Sequence, residues 1–207
     1  MKIQRLTYLS LGSNQGRKLN NLQEAIFEIA ESIGAIHKIS SVYKTDSWGF
    51  KGDDFYNICI AVSTYLPPEE LLKNILNIEA KLGRKRKQNK KYTNRKIDID
   101  ILLFEDEIVF SKNIIIPHPR MLDRKFVLVP LAEIAGSTLH PIEKKTLNIC
   151  LNNTIDTSEI HKISSKLERP IPLIEKYNYV AIEGNIGSGK TSLSNLMSDE
   201  FNAKIVL

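Results

Sequence analysis

Apolar residues recur along the first hundred positions with two different spacings, and the changes of spacing predict six elements. Alternating apolar and polar positions, or short apolar runs between turn residues, predict strands at 6–12, 36–45, 55–66 and 97–104. Spacings of three and four predict helices at 20–34 and 68–83, each ending at a glycine. The resulting order, β-α-β-β-α-β, predicts an α+β fold with a ferredoxin-like antiparallel sheet and both helices on one of its faces.

Beyond the sixth element the pattern divides the chain into three parts. Residues 1–142 are predicted to form the first domain, in which a proline-stiffened loop and one more helix follow the sheet. Residues 143–178 are polar and weakly periodic, which predicts an extension running into a linker. Residues 179–207 begin a new module, predicted as a strand at Tyr179–Glu183, a glycine-rich turn and a helix with apolar positions at Leu193, Leu196 and Met197.

Composition adds a cellular setting to this pattern. Of the 207 residues, 42% are hydrophobic and 26% are charged, which is ordinary for a globular protein. The sequence has neither the apolar run of about 20 residues that a membrane helix needs nor the apolar core of a signal peptide. Cys59 and Cys150 lie far apart and fit neither a disulfide framework nor a zinc site. We therefore expect buried reduced thiols in a cytoplasmic protein with no membrane partner.

The net charge of +5 conceals one concentrated cationic segment. Residues 84–96, RKRKQNKKYTNRK, carry eight basic residues and no acid, so the rest of the chain has a formal charge of −3. Such a segment predicts a local anionic partner, either a polyphosphate or a nucleic acid. Tyr92 is its one aromatic residue, which is little for stacking on bases and favours the polyphosphate. A simply solvated loop is the remaining alternative.

Two aspartates follow this segment directly, in the apolar run IDIDILLF. Because side chains alternate along a strand, Asp98 and Asp100 point to the same face, with their Cα atoms about 7 Å apart. Two carboxylates at that separation repel each other unless a cation lies between them, and they can share one or two Mg²⁺ ions. The alternative is a solvated sheet face. Metal and arginines together would provide the charge neutralisation on which phosphoryl transfer depends.

A second phosphate motif lies near the C-terminus. GNIGSGKT, residues 184–191, fits the P-loop pattern G-x-x-x-x-G-K-[ST]. In such a loop the backbone N–H groups around Gly184, Gly187 and Gly189 point at phosphates, Lys190 reaches the β and γ oxygens, and Thr191 holds Mg²⁺.

Several separated motifs, in order, resemble the 6-hydroxymethyl-7,8-dihydropterin pyrophosphokinases of folate synthesis. They are YLSLGSNQG, SSVYKTDSWG, FYNICIAV, LGRKRK, RKIDIDILLF and PHPRMLDRKFVLVPLAEIAG, between Leu6 and Pro141. The resemblance implies transfer of the terminal pyrophosphoryl group of ATP to the hydroxymethyl oxygen of the pterin, with release of AMP. It also implies two Mg²⁺ ions, with Asp98 and Asp100 as ligands.

The same resemblance implies roles for other residues, each with a structural alternative. Arg84, Arg86 and Arg95 match positions that contact ATP phosphates or stabilise transferred charge. His118, Arg124 and Glu79 match ATP-side residues, although a surface loop would also explain His118 and a solvated helix face would explain Glu79. Thr45, Phe55, Asn57 and Phe126 match positions around the pterin, as does the backbone of the loop after Thr45, although the two phenylalanines are equally explained as core aromatics.

Two features depart from the family pattern. Tyr92-Thr93-Asn94 stands where the family often has Trp-Gly-Pro, and Tyr92 is predicted to replace the tryptophan over the substrate. The tail YVAIEGNIGSGKTSL resembles deoxynucleoside kinases over about 30 residues and is predicted to be the inactive, truncated start of such a domain in a bifunctional protein. The expected partners are ATP and a dihydropterin. A binding module that uses residues 84–96 for an anion or nucleic acid is the alternative from another class, and nucleic acid is not the expected partner.

Overall fold

The computed structural model of the protein describes residues 3–49, 52–84, 93–171, 179–201 and 203–205. The chain divides into two compact units, Met1–Pro170 and Ile171–Leu207, and each is described by itself. The first unit contains the sheet, and the second contains the glycine-rich motif.

The first unit confirms the predicted order of the first six elements, with one strand divided in two. These elements are β1 (Arg5–Ser13), α1 (Lys18–Ser32), β2 (Gly34–Ile39), β3 (Tyr43–Thr45), β4 (Phe55–Thr64), α2 (Pro68–Lys81) and β5 (Asp98–Phe104). The strand predicted at 36–45 divides at Ser40, because the hydroxyl of this residue accepts the amide hydrogen of Cys59 at 3.0 Å. The Ser40 hydroxyl thus replaces a backbone carbonyl as the acceptor, while the Ser40 backbone N–H still donates to the Cys59 carbonyl at 2.9 Å.

The remaining elements of this unit are shorter. They are the hairpin strands β6 (Val109–Phe110) and β7 (Ile115–Ile116), the helices α3 (Lys125–Ala135) and α4 (Leu147–Asn152), and the edge strand β8 (His161–Lys162). The strands of the main sheet follow the order β5-β1-β4-β3-β8, and β2 also pairs with β4. All these pairings are antiparallel, which agrees with the predicted α+β class.

The register of β1, β4 and β5 places three residues that matter for the site side by side. Gly12 of β1 lies opposite Asp98 of β5 on one side and opposite Asn57 of β4 on the other. A Cβ atom at Gly12 would lie 3.0 Å from Asn57 Oδ1, which is tighter than an ordinary contact. The absence of a side chain at Gly12 therefore lets the Asn57 amide lie close to β1, between two strands that carry residues 41 positions apart in sequence.

Apolar layers cover both faces of the sheet. On one face, α1 and α2 pack together against β5, as predicted for the two helices; this layer includes Leu22, Ile26, Ile29, Leu71, Ile75, Ile99 and Ile101. On the other face, α3 packs through Val127 and Leu131 against Tyr8 and Leu102. Because Ile99 and Ile101 face α1 and α2, the alternate positions Asp98 and Asp100 lie on the face that α3 only partly covers.

The extension predicted at 143–178 belongs in large part to the first unit. Helix α4 lies within it, β8 joins the sheet beside β3, and Ile163 and Leu167 pack against the α1–α2 layer. The backbone N–H of Lys125 donates to Asp156 at 2.8 Å and ties this segment to the start of α3. The boundary between the two units lies at Pro170, within the segment predicted as extension and linker. Leu147 and Cys150 of α4 are also buried, so both apolar packing and polar bonds attach the segment.

The second unit contains a turn and a helix but lacks the predicted strand. Helix α5 (Lys190–Phe201) begins within the glycine-rich motif, as its pattern predicts. Residues 179–185 have no regular secondary structure, so the strand predicted at Tyr179–Glu183 is wrong. A strand needs a neighbour for its backbone N–H and C=O groups, and no described residue pairs with this segment.

Two of the sequence predictions concern the state of the cysteines and the presence of a membrane-spanning helix. Cys59 and Cys150 are buried free thiols, as predicted. Over the ranges that the structure describes, every helix falls short of the length and hydrophobicity of a membrane span.

Candidate active site

A cavity of about 240 Å³ in the first unit collects most of the residues predicted to act on substrates. Its walls come from β1, β4, β5, the loop after β3 and the start of α3. Nine predicted residues line it: Thr45, Phe55, Asn57, Arg84, Arg95, Asp98, Asp100, Arg124 and Phe126. The fold thus brings candidate metal ligands, cations and aromatic rings into one place.

A second cavity, of about 590 Å³, is lined in part by helix α2. Leu72 and Leu76 of that helix give it an apolar wall. Arg84, Asp98 and Asp100 line both cavities. The carboxylate pair therefore stands where the two cavities meet.

The two aspartates lie in different electrostatic surroundings. Arg84 and Arg95 each pair with a different oxygen of the Asp98 carboxylate. Burial, followed by the charge of Asp98, raises the pKa of Asp100 to about 6, against the opposing effect of Arg124 and Arg84. The repulsion between the two carboxylates is the condition that a bound cation relieves.

We expect Asp100→Asn to raise the melting temperature at pH 7.5 in the presence of a chelator. Because folding raises the pKa of Asp100, it favours the protonated form, and the free energy of unfolding falls as pH rises from about 4 to about 6. An uncharged asparagine avoids this loss, on the order of 2–3 kcal/mol, which corresponds to roughly 4–12 °C in Tm. Melting curves of the two proteins measure the difference.

The pH dependence of that difference provides the control. At pH 5 the advantage of the asparagine variant should fall to about half, because part of the wild-type carboxyl is then protonated. Asp106→Asn, in the exposed turn after β5, should change the melting temperature little at either pH. An Asp100→Asn protein that melts below the wild type at pH 7.5 would contradict the electrostatic account.

Glu79 occupies a buried position behind the aspartates. Its side chain is 1% exposed, and it accepts the backbone N–H of Ile99 at 2.9 Å. The same carboxylate pairs with Arg84, which also pairs with Asp98. Glu79, which is predicted to contact ATP, therefore accepts hydrogen bonds from protein groups. One donor is the backbone of β5, and the other is Arg84, which also pairs with Asp98.

A hydrogen-bond network fixes the chain where it enters β5. The Asn14 side chain accepts the backbone N–H of Arg95 at 2.7 Å and donates to Asn94 Oδ1 at 2.8 Å. Asn94 donates in turn to Asp53 at 2.9 Å, on the loop before β4. Asn94 stands in the stretch that departs from the family pattern, so part of that stretch has a structural role. The predicted cover residue Tyr92 lies outside the described residues.

The residues predicted around the pterin form one wall of the first cavity. Asn57 Nδ2 donates to Thr45 Oγ1 at 2.9 Å, and both side chains are buried. This bond orients the Asn57 amide within a strand, where asparagine is otherwise disfavoured. Phe55 is also buried and carries the Arg95 guanidinium 5.5 Å from its ring centroid.

His118 lies close to the cationic side of the site. Burial, together with the charges of Arg124 and Arg120, lowers the pKa of His118 to about 4, so the ring is neutral at pH 7. Its Nδ1 accepts the backbone N–H of Arg120 at 3.2 Å. The hydrogen of the neutral ring is therefore on Nε2, which makes that atom a donor for an oxygen ligand.

Five residues of the first cavity have side chains to which the sequence analysis gives no role, although two of them lie in the loop after Thr45: Ser10, Gly12, Asp46, Trp48 and Arg120. Gly12 follows directly from the strand register, which the sequence does not specify. Trp48 is the one tryptophan of the chain and lies in a loop rich in turn residues, a combination that could have marked it as a candidate.

Two groups of predicted residues lie elsewhere. Arg86 falls outside the described residues. In the second unit, Gly187 and Gly189 adopt positive φ angles of 82° and 83°, which suits a tight glycine turn. Lys190 Nζ donates to the carbonyl oxygens of Gly184 and Asn185 at 2.5 and 2.7 Å, and Thr191 lies in the first turn of α5. The lysine thus bonds to its own loop.

Comparisons with known proteins bear on the first unit. Residues 8–136 match the model of the family described as 7,8-dihydro-6-hydroxymethylpterin-pyrophosphokinase. The 2-amino-4-hydroxy-6-hydroxymethyldihydropteridine pyrophosphokinase of Aquifex aeolicus is 41% identical over 141 residues, which cover 68% of this chain and 86% of that protein. The enzyme of the same name from Bacillus subtilis is 40% identical over 131 residues, 62% of this chain and 77% of that protein.

Solved structures add a likeness of fold. Plasmodium falciparum HPPK-DHPS superposes on 73% of this chain with a TM-score of 0.61 and 18% sequence identity. This chain corresponds to 45% of that protein, less than half of its length. At such identity the likeness concerns the fold of the matched part.

Proposed function

The chain belongs to the 7,8-dihydro-6-hydroxymethylpterin-pyrophosphokinase family, and we propose that the two cavities meeting at Asp98 and Asp100 are its substrate sites. It is an enzyme of folate biosynthesis that transfers the pyrophosphoryl group of ATP to the hydroxymethyl group of 6-hydroxymethyl-7,8-dihydropterin. The pterin hydroxymethyl oxygen attacks the β-phosphorus of ATP, and the bond from that phosphorus to the α–β bridging oxygen breaks. The electron pair leaves with AMP, and the hydroxyl proton is released.

The observation that carries the assignment of sites is that Arg84, Asp98 and Asp100 line both cavities. The reaction joins two substrates at one phosphorus atom, so their cavities must meet at the phosphate-binding groups. The larger cavity, with Leu72 and Leu76 on its wall, suits the nucleoside of ATP. The smaller cavity, with aromatic rings and the Asn57 amide, suits a flat heterocycle that carries hydrogen-bonding edges.

The residues present fit the Mg²⁺ that the resemblance implies. Asp98 and Asp100 supply two carboxylates on one strand face, and burial, followed by the charge of Asp98, raises the pKa of Asp100. Among the described residues no group of three or more acidic, histidine or cysteine side chains is arranged to hold a metal ion by itself, and magnesium bound with substrate phosphates needs only one or two carboxylates. We assign these aspartates as ligands of two Mg²⁺ ions, which when bound neutralise charge on the phosphates.

Arginine side chains supply positive charge in addition to that of the Mg²⁺ ions. Arg84 and Arg95 are already oriented by Asp98, and both line the first cavity. Their planar guanidinium groups can bond phosphate oxygens in pairs, which a lysine cannot do. We assign Arg84 and Arg95, together with the predicted Arg86, to the transferred pyrophosphoryl group. Arg124 and the neutral His118 are assigned to ATP oxygens. Catalysis then consists of holding and neutralising the polyphosphate.

The pterin assignment rests on the wall formed by Thr45, Phe55, Asn57 and Phe126. The Asn57 amide, held by Thr45, presents its remaining donor and acceptor capacity to the ring edge. Phe126 is assigned to stacking on the pterin face, and Phe55 lines the same cavity as a second aromatic ring. The buried amide provides direction, and the aromatic surface provides most of the apolar area.

A nucleotide assay tests the function directly. The protein is incubated with ATP, Mg²⁺ and 6-hydroxymethyl-7,8-dihydropterin, and AMP is resolved from ADP by chromatography. AMP that forms only when the pterin is present is the expected result. ADP as the main product, or AMP that forms equally without the pterin, would contradict the pyrophosphoryl transfer.

We expect Asn57→Ala to weaken pterin binding by about tenfold to a hundredfold, with a much smaller change in the KM for ATP. The substitution removes a buried hydrogen-bonding group and leaves Thr45 Oγ1 without this donor. Calorimetric titration with the pterin, and KM values for both substrates, measure the effect. Asn148→Ala, an exposed asparagine of α4, serves as the control and should bind the pterin as the wild type does. An equal loss for both substrates would point to a general disturbance of the sheet.

The tail and the cationic segment remain as predictions with their own tests. Interpreted as the start of a deoxynucleoside kinase, the tail predicts ADP and a nucleoside monophosphate, both lost in Lys190→Ala. The family match and the relatives give this no support. A nucleic-acid function of residues 84–96 predicts binding that weakens steeply with salt. It is not favoured beside the pyrophosphokinase, and the cytoplasmic location also stays a prediction.

A further inference from the structure

Trp48 lies on the loop between β3 and β4 and lines the first cavity. It is 40% exposed, so it is not a core residue, and it is the one tryptophan of the chain. Ser47, immediately before it, accepts the backbone N–H of Gly52 at 2.9 Å, which closes the loop behind it. The large aromatic side chain of Trp48 therefore lines the cavity, and the hydrogen bond between Ser47 and Gly52 holds the loop that carries it.

The indole of Trp48 packs on the guanidinium of Arg124. Arg124 Cζ lies 4.9 Å from the centroid of the Trp48 ring and 5.6 Å from the centroid of Phe126. Both distances are within the range of a cation–π interaction, and tryptophan is the strongest aromatic partner for a cation. Arg124 is 5% exposed, so these contacts lie in a largely desolvated place, where such interactions are strongest.

Arg124 is one of the cations that the proposed function assigns to the phosphates of ATP. It lines the same cavity as Asp100, and it lies close enough to His118 that its charge helps to lower the pKa of that ring. Its backbone begins helix α3, whereas Trp48 comes from a different part of the chain, 76 positions earlier. An arginine side chain has many rotamers, and fixing one in advance avoids an entropic cost on substrate binding.

We propose that Trp48 is a positioning residue for Arg124. With Phe126 it fixes the guanidinium at the place where ATP phosphates are to be bound. Trp48, on the loop beside the pterin wall, thereby affects how the site binds ATP. The proposal rests on the function proposed above, in which Arg124 serves ATP. The competing arrangement, in which the indole stacks on the pterin itself, makes the opposite prediction about which substrate is affected.

A double-mutant cycle tests the proposal. Trp48→Ala is expected to lower kcat/KM for ATP by about fivefold to tenfold, the size of a partly desolvated cation–π contact. In an Arg124→Ala background the same substitution should change kcat/KM for ATP by less than about twofold, because the group that it positions is gone. The dissociation constant of the pterin, measured without ATP, should stay within about twofold of the wild type in Trp48→Ala.

Conservative variants separate positioning from general packing. Trp48→Phe keeps an aromatic face and should retain most of the ATP efficiency, whereas Trp48→Leu, which is apolar but not aromatic, should behave as Trp48→Ala does. Circular dichroism and melting curves show that each variant is folded. Additive effects in the cycle, or a loss confined to the pterin dissociation constant, would overturn the proposal.

The tryptophan also reports on its own contact. Because it is the one tryptophan of the chain, its emission reflects the surroundings of this residue alone. Arg124→Met, which replaces the cation by an uncharged chain, should change the intensity or wavelength of that emission. An unchanged spectrum would show that the contact does not exist in solution. AMP formation by the wild-type protein in the same assays establishes the activity independently, so failure of this proposal and failure of the proposed function are distinguishable.

Discussion

Replacing Asp98 or Asp100 with asparagine is expected to reduce the formation of AMP by about a thousandfold or more while the protein stays folded. Each substitution removes a carboxylate from the point where the two cavities meet, and with it one ligand for Mg²⁺. Charge neutralisation by metal and arginine is the main catalytic resource in phosphoryl transfer, and single groups of this kind contribute about 10²–10³-fold or more. Asparagine keeps the shape of the side chain, so the loss is not one of packing.

Chromatographic quantification of AMP over time measures the effect, with ATP, pterin and Mg²⁺ all saturating. Asp106→Asn is a matched control, because it removes a carboxylate from the exposed turn directly after the same strand and should leave the rate unchanged. A thermal shift with Mg²⁺ and a non-hydrolysable ATP analogue should be smaller in both active-site variants than in the wild type. Full activity in both asparagine variants would contradict the assignment of Asp98 and Asp100 as metal ligands.

Local patterns predict much of this fold because the relevant signals lie within single elements. The spacing of Leu22, Ile26 and Ile29 predicts α1, and the same apolar residues form the layer under the sheet. The period of two predicts that Asp98 and Asp100 share a face, and both line the first cavity. These inferences need no knowledge of which strands are neighbours.

Other features depend on contacts between distant parts of the chain, and no local pattern contains them. That Gly12 separates Asp98 from Asn57 follows from the register of three strands. The Asn14 network joins the end of β1 to residues 80 positions later. The interruption at Ser40 depends on a hydroxyl that bonds to β4, and the strand predicted at Tyr179–Glu183 fails where no described neighbour pairs with it. Pairing partners, and not propensities, decide these cases.

Removing the carboxylate of Glu79 is expected to damage both stability and activity. Glu79→Ala takes away the acceptor of the Ile99 N–H and a counter-charge of Arg84 at a position that is 1% exposed. Breaking one partner out of a buried ion pair typically costs about 3–5 kcal/mol, and here Arg84 would keep only Asp98 as a counter-charge. In a chain of this size that corresponds to a fall in melting temperature of roughly 6–20 °C.

The loss of activity follows from the position of Glu79 behind the site. Glu79 contacts Arg84 and the backbone of β5 between the two aspartates, so its removal disturbs a cation and two metal ligands at once. We expect kcat to fall by about a hundredfold at saturating ATP, since misplacement of such groups affects the transition state more than ground-state binding. Steady-state kinetics for both substrates, together with melting curves, measure the two losses.

Two further variants determine whether Glu79 supports the site or binds the nucleotide. Glu79→Gln keeps an oxygen acceptor for the Ile99 N–H but removes the charge, so its melting temperature and kcat should both lie between those of Glu79→Ala and the wild type. Glu70→Gln, an exposed position on the same helix, should change neither. If Glu79→Ala melts as the wild type does and raises only the KM for ATP, the residue is a direct nucleotide contact, as its family position implies. The buried contacts of Glu79 with Ile99 and Arg84 favour the supporting role, because a carboxylate enclosed by protein donors can bind a ribose or base only by giving them up.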